Sequence, residues 1–272
     1  MKVILFDYLN FTRNINEIPL LQDDFAEVMK RSQNAGVKSM IITGGSLHES
    51  REAIKLAKEW KLYATAGCHP TRSCEFEKFT TGPEGYLQAL DKLIAENISG
   101  EGRVVAIGEC GLGMQLALAK KYHLPLFLHS RSAHADFVRI LKEEGFGDDG
   151  GRKSGANGGV VHSFTGSPEE ATEYVDAPWC SLTSTHASKA HLDSLPQPLN
   201  SLFFPSAKRP EQFILGQAVK GRNEPTAIGG VAWVVHQLHG VPFKTVTEKV
   251  WKNTVELFGL KELDKEDNYI SI

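Results

Sequence analysis

Short apolar runs rich in β-branched residues alternate along this chain with stretches of helical periodicity, and this alternation restricts the fold more than any other feature. The runs are Val3 to Phe6, Ser39 to Thr43, Leu62 to Ala66, Val104 to Ile107, Leu124 to Leu128 and Gly159 to Val161. Each is bounded by Gly, Pro or polar residues, as expected of strands buried on both faces. Helix-period segments lie between several of them, at Asp24 to Asn34, Leu47 to Trp60, Tyr86 to Glu96 and His134 to Glu144. Strand then helix, repeated, implies parallel pairing through right-handed crossovers. The chain has 272 residues, 41% of them hydrophobic, enough for one β/α barrel of about 250 residues and a single domain over 1–272.

Punctuation along the chain agrees. Asp23, Asp24 and Ser46 are candidate N-caps, and Gly36 is a candidate helix stop. Gly145 to Gly158 reads as an exposed, flexible surface loop. Pro196 to Pro210 looks irregular, and helical periodicity returns at Thr226 to Leu238 and Thr245 to Phe258.

Spacing tests the barrel. A β/α unit takes roughly 30 residues, and His129 to His162 spans 33. Glu109 to His129 spans 20, room for a tight loop and about two helical turns between Gly113 and Tyr122. His162 to Asp176 spans only 14, too few to return through another strand to the same face, which puts Asp176 at the wrong end of a barrel.

The chemistry sits at the ends of these runs. Glu109, His129 and His162 each follow a strand-like segment, and a mixed imidazole and carboxylate set there suits Mg²⁺, Mn²⁺ or Zn²⁺. Such a cation polarises a phosphoryl or carbonyl oxygen and lowers the pKa of a bound water. A pair of ions about 3.5 to 4 Å apart would also stabilise a leaving oxygen. An isolated histidine is more often a satisfied hydrogen-bonder, and His48, His123, His134, His186, His191, His236 and His239 are read that way.

Composition bounds the rest. A formal net charge of -3 gives no global attraction to polyanions, so any nucleic acid must be held locally or through metal. The four cysteines form no Cys-x-x-Cys pair, which favours a reducing cytoplasmic setting and leaves a nuclear fraction open. No stretch approaches the roughly 18 apolar residues of a membrane span, and nothing points to an obligate protein partner. Lys208, Arg209, Lys220 and Arg222 are candidates for a DNA-facing rim, although scattered surface charge is the commoner explanation.

Longer strings carry a resemblance. Val104-Val-Ala-Ile-Gly-Glu-Cys-Gly-Leu112, Leu124-Pro-Leu-Phe-Leu-His-Ser-Arg131, Gly159-Val-Val-His-Ser-Phe-Thr-Gly166 and Ala66-Gly-Cys-His-Pro70 closely resemble the TatD family of metal-dependent deoxyribonucleases. Ile41-Ile-Thr-Gly-Gly-Ser-Leu47, Asp176-Ala-Pro-Trp179, Thr185-His-Ala-Ser188 and Val219-Lys-Gly-Arg-Asn-Glu-Pro225 match it in the same order. The resemblance implies an α/β fold of the TIM-type (β/α) barrel, amidohydrolase class, with a two-metal site that hydrolyses DNA phosphodiesters in single strands or at 3′ ends. By motif, Glu109, His129, His162 and Asp176 would bind metal. Glu109 would bridge the ions and Asp176 would also orient the attacking water. His69 would face the substrate phosphate, with Arg131 and Arg222 supporting the rim.

The chain departs from the family pattern in three places. The long loop after Gly-Glu-Cys-Gly-Leu is missing, Asp7 lacks a His-x-His pair nearby, and the family's seventh strand and most of its eighth are absent before Asp176. The gaps have clean ends, as an in-frame loss by alternative splicing or an incorrect gene model would leave. The expected fold is therefore an incomplete barrel with unpaired strand edges, with Leu202 to Phe204 or Phe213 to Leu215 as substitute closing strands. Two other functions stay open: a catalytically impaired relative without a complete metal site, and an amidohydrolase-type enzyme acting on C–N or ester bonds.

Overall fold

The computed structural model describes residues 3–6, 25–111, 113–130, 133–162, 167, 169–170, 173–174, 180–183 and 224–264. The described strands are β1 (Val3–Phe6), β2 (Ser39–Ile42), β3 (Tyr63–Ala66), β4 (Val104–Cys110), β5 (Leu126–His129), β6 (Gly159–His162) and β7 (Cys180–Thr183). The described α-helices are α1 (Phe25–Asn34), α2 (Leu47–Glu59), α3 (Cys74–Lys78), α4 (Gly82–Glu96), α5 (Leu116–Tyr122), α6 (His134–Glu143), α7 (Ile228–His239) and α8 (Phe243–Leu257).

By contacts the chain divides into two compact units, one of Met1–Met40, Ala190–Glu256 and Leu260–Ile272, the other of Ile41–Lys189 and Leu257–Gly259. The second holds the consecutive parallel pairings β2 with β3, β3 with β4, β4 with β5, β5 with β6 and β6 with β7. Strands β2, β3 and β4 are buried along their whole length, which is why they read as unbroken apolar runs. Parallel neighbours in chain order with intervening helices are the progression of a TIM-type barrel.

Local chemistry sets the boundaries. Ser46 Oγ accepts a hydrogen bond from Glu49 N at 3.1 Å and caps α2, while Gly36 stops α1 with φ +81°. Only α5, two turns long, fits in the short crossover from β4 to β5. Strand β7 was not marked by periodicity. Its first residue Cys180 is level with Gly159 and its last, Thr183, with His162. The segment 145–158 differs from the expected flexible loop: Phe146 and Ala156 are buried, and Ala156 N donates to Gly151 O and Gly158 N to Gly150 O. Its glycines permit tight turns that bond to themselves.

In the first unit, the Arg31 guanidinium on α1 grips both carboxylate oxygens of Glu224 at 2.8 and 3.0 Å. Glu224 is 6% exposed, so this fork neutralises a buried carboxylate. The candidate closing segments, Leu202 to Phe204 and Phe213 to Leu215, lie outside the described residues.

Candidate metal centre

Register brings the principal groups together. His129 and His162 close β5 and β6 and are paired level with each other, so adjacent parallel strands present two imidazoles side by side at a spacing of about 4.8 Å. His129 Nδ1 lies 3.3 Å from His162 Nε2. Phe127, two residues before His129, stacks on the His162 ring at 4.4 Å between centroids and fixes its plane.

Glu109 reaches the same point through a bulge. Gly108 pairs with Phe127 and Cys110 with Leu128, so two steps on β4 oppose one on β5, and Glu109 sits in the shift. Only glycine fits at 108: its φ is +143°, and a Cβ there would stand 2.1 Å from Phe127 O. The Glu109 backbone N–H donates to Gly44 O at 2.7 Å and holds the bulge from the other side.

Three imidazoles face one oxygen of this carboxylate. Glu109 Oε1 is 2.9 Å from His129 Nδ1 and 3.2 Å from His69 Nε2, and it also contacts His162 Nε2 directly. Glu109 is 4% exposed. Burial pushes its carboxyl up, but hydrogen bonds from His129, His162 and His69 outweigh that and hold it well below the usual carboxylate range. A buried anion among three nitrogen donors fits a divalent cation by donor chemistry. Ligand atoms of His69, Glu109 and His129 all lie within 4.8 Å of one another. This triad includes His69, which the sequence pattern sets apart as a phosphate contact. His69 packs edge-on against the His129 ring at 4.4 Å.

Two polar neighbours escaped the sequence reading. The buried Gln115 accepts from Cys68 N at 2.7 Å and donates to Cys68 O at 2.9 Å, clamping the residue before His69. Thr71 N donates to His69 Nδ1 at 3.1 Å. Position 111 takes glycine because a Cβ would meet Pro70 Cγ at 2.7 Å, so the end of β4 seats the loop that carries His69. No local pattern announces the Gln115 and Gly111 contacts, since each joins segments set together only by the fold, whereas the Thr71–His69 bond is local to one turn. Arg131, Asp176 and Arg222 lie outside the described residues.

Imidazoles converging on a buried carboxylate at the C-terminal ends of parallel β-strands, in an incomplete TIM-type barrel, are the arrangement of a metal-dependent hydrolase. The family model described as "TatD related DNase" matches residues 12–114 and 112–259. The chain belongs to this family. It is 33% identical over 287 residues to the "Deoxyribonuclease Tat-D" of Schizosaccharomyces pombe, covering 86% of this chain and 87% of that protein. It is 35% identical over 170 residues to the "3'-5' ssDNA/RNA exonuclease TatD" of Citrobacter koseri, covering 56% and 58%. A solved structure of a hydrolase TatD family protein from Entamoeba histolytica matches the fold with a TM-score of 0.67 at 24% identity, covering 87% of this chain and 89% of that one. Among the described residues no helix is long and apolar enough to cross a membrane.

Proposed function

We propose that this chain is a deoxyribonuclease that hydrolyses phosphodiester bonds in single-stranded DNA or at 3′ ends, using two divalent ions, Mg²⁺ or Mn²⁺ with Zn²⁺ as an alternative. The observation that carries the reading is the convergence of His69, His129 and His162 on the Glu109 carboxylate at the ends of parallel strands. The family matches on both sides of Gly113 support treating the two units as one hydrolase domain over 1–272. The names of the yeast and bacterial relatives supply the substrate class. The cysteines described as free, Cys68, Cys74 and Cys110, suit a reducing cytoplasmic or nuclear setting.

Glu109, His129, His162 and Asp176 would hold the ions, with Glu109 as the bridge. The chemistry a divalent cation supplies at such a site is polarisation of a phosphoryl oxygen and a lower pKa for a neighbouring water. Glu109 remains anionic through the neutral range because its carboxyl is held low, so it offers negative charge without first losing a proton. The stacked Phe127 keeps the His162 ring from turning away and excludes water from one face. Asp176 would orient the attacking water and take its proton. His69, Arg131 and Arg222 would pair with phosphate oxygens, and a guanidinium suits that geometry through its planar fork.

One observation favours a second reading, an impaired enzyme. Asp176 precedes β7 in the sequence, and β7 starts level with Gly159, whereas His129 and His162 stand level with its far end at Thr183. Shortening of an end-labelled single-stranded oligonucleotide with Mg²⁺ or Mn²⁺ separates the two. Cleavage that disappears in Glu109→Gln and in Asp176→Asn supports the nuclease with its full ligand set. A folded, monodisperse chain without cleavage supports the impaired relative, and activity confined to amides or lactones overturns both.

A further inference from the structure

Glu109 and His69 come from different strands and lean on one turn. The Glu109 N–H donates to Gly44 O at 2.7 Å and the His69 N–H to Gly45 O at 2.9 Å, so successive carbonyls between β2 and α2 hold both residues. The turn is itself closely seated. Gly44 N donates to Thr65 Oγ1 at 3.1 Å, and a Cβ at position 44 would stand 2.5 Å from Ser50 Oγ and 2.8 Å from Thr65 O. A shift of this turn therefore moves the backbone of two site residues together.

The far end of the turn is fixed from α4. Leu47 is the first residue of α2, and the first N–H groups of a helix find no partner within it. Ser46 Oγ takes Glu49 N, while Leu47 N donates to the Tyr86 hydroxyl at 2.7 Å. Leu47 and Tyr86 are both buried, so solvent has no ready access to replace this acceptor. The hydroxyl gives its own proton to Glu75 Oε2 at 3.1 Å. Arg72 links Glu75, at 3.3 Å, to Glu49 of α2, at 2.6 Å, which closes a ring of polar contacts around the turn. Phe76 and Phe79 pack on the Tyr86 ring at 4.5 and 5.4 Å between centroids and aim the hydroxyl. Packing alone would be served by a phenylalanine.

We propose that Tyr86 is a positioning residue of the metal centre: its hydroxyl, through Leu47 N, holds the Gly44–Gly45 turn in place, and that turn sets the backbone of Glu109 and His69. The effect on metal affinity rests on the proposed reading of Glu109 as a ligand. The hold on the turn rests on the hydrogen bonds alone.

Tyr86→Phe keeps the ring and removes the hydroxyl, and Arg31→Ala, destabilised from the other unit, is the control. In amide hydrogen exchange of the metal-free full chain, Tyr86→Phe should release the Leu47, His69 and Glu109 amides at least about fivefold more than the Leu126 amide, which bonds to Gly158 O at 3.0 Å. Even acceleration of all four, as expected of Arg31→Ala, overturns the proposal. Mn²⁺ affinity should fall at least about fivefold in Tyr86→Phe, short of the 10- to 100-fold cost of removing a group bonded directly to a ligand. A fall no larger than that of Arg31→Ala overturns it as well. The parent alone gives a further check that needs no variant to fold: coupling between metal and turn runs both ways, so saturating Mg²⁺ should slow exchange of the Leu47 amide more than that of Leu126, and equal slowing of the two overturns the proposal. Absence of DNA cleavage by the parent, alongside the expected exchange and Mn²⁺ results, would count against the nuclease function and leave the role of Tyr86 standing. A parent that binds neither ion would count against the metal centre, and the exchange of the three amides in Tyr86→Phe would then decide the hold on the turn.

Discussion

Replacing Gln115 with Ala should destabilise the chain by about 2 to 4 kcal/mol. Gln115 is 6% exposed and Cys68 is 2% exposed, and the Gln115 amide is partner to both the N–H and the C=O of Cys68. Truncation strands two buried backbone groups, each costing about 1 to 3 kcal/mol when no partner replaces the one lost. The space left by a carboxamide can admit water, which needs only a modest polar cavity, so the lower half of that range applies. At about 2 to 4 °C per kcal/mol for a chain of this size, the melting temperature falls by roughly 4 to 16 °C. Urea unfolding and melting curves of the parent, Gln115→Ala and Gln115→Glu test this. The glutamate keeps an acceptor for Cys68 N but turns a second oxygen toward Cys68 O, so it should not restore stability. A Gln115→Ala chain within about 0.5 kcal/mol of the parent, or a Gln115→Glu chain equal to it, would refute the clamp.

Other outcomes follow from the packing. Gly108→Ala should give little soluble protein on expression, because its Cβ would sit 2.1 Å from Phe127 O at a φ reserved for glycine. Arg31→Ala should lose about 3 kcal/mol or more in urea unfolding by leaving the Glu224 carboxylate buried without its fork, whereas Arg31→Met combined with Glu224→Leu should stay closer to the parent. Burial pushes the Cys68 thiol up to about 11 and raises the Cys110 thiol further above its ordinary 9.0. The unfolded thiols lose their protons first, so the thiols' contribution to stability is constant below about pH 9 and falls above it as the unfolded state ionises, which unfolding curves from pH 7 to 10.5 will trace. In the native protein iodoacetamide at pH 8 should label the exposed Cys74 well before Cys68 or Cys110, as peptide mass mapping will record.

Much of the fold was legible because buried parallel strands announce themselves twice, by apolar runs and by the polar groups that end them. Val104 to Ile107 and Leu124 to Leu128 locate β4 and β5 to within a few residues, and Glu109 and His129 stand where those runs stop. Strand β7 was hidden because Cys180-Ser-Leu-Thr183 has only two apolar side chains. Helix α3, five residues long, is too short to display a period. Helix α4 starts at Gly82 rather than near Tyr86 because Pro83 occupies its first turn, where its missing N–H costs nothing. The convergence of His129 and His162 on Glu109 could be read from residue type and position. The roles of Thr71 and Gln115 could not, since a side chain bonded to backbone leaves no periodic trace, and the approach of His69 to Glu109 depends on how β3 and β4 lie together.

The division of the chain into two units has a consequence for its synthesis. Strands β3 to β7 each pair with the strand just before them, so each can dock as it leaves the ribosome, at little cost in loop closure. The other unit joins the first forty residues to a segment that starts at Ala190, and its Arg31–Glu224 fork closes over 193 positions. Helix α1 therefore emerges early and waits for most of the polypeptide before its buried partner exists. During that interval its apolar face, with Val28 and Met29 at its centre, is the surface a nascent-chain chaperone would find.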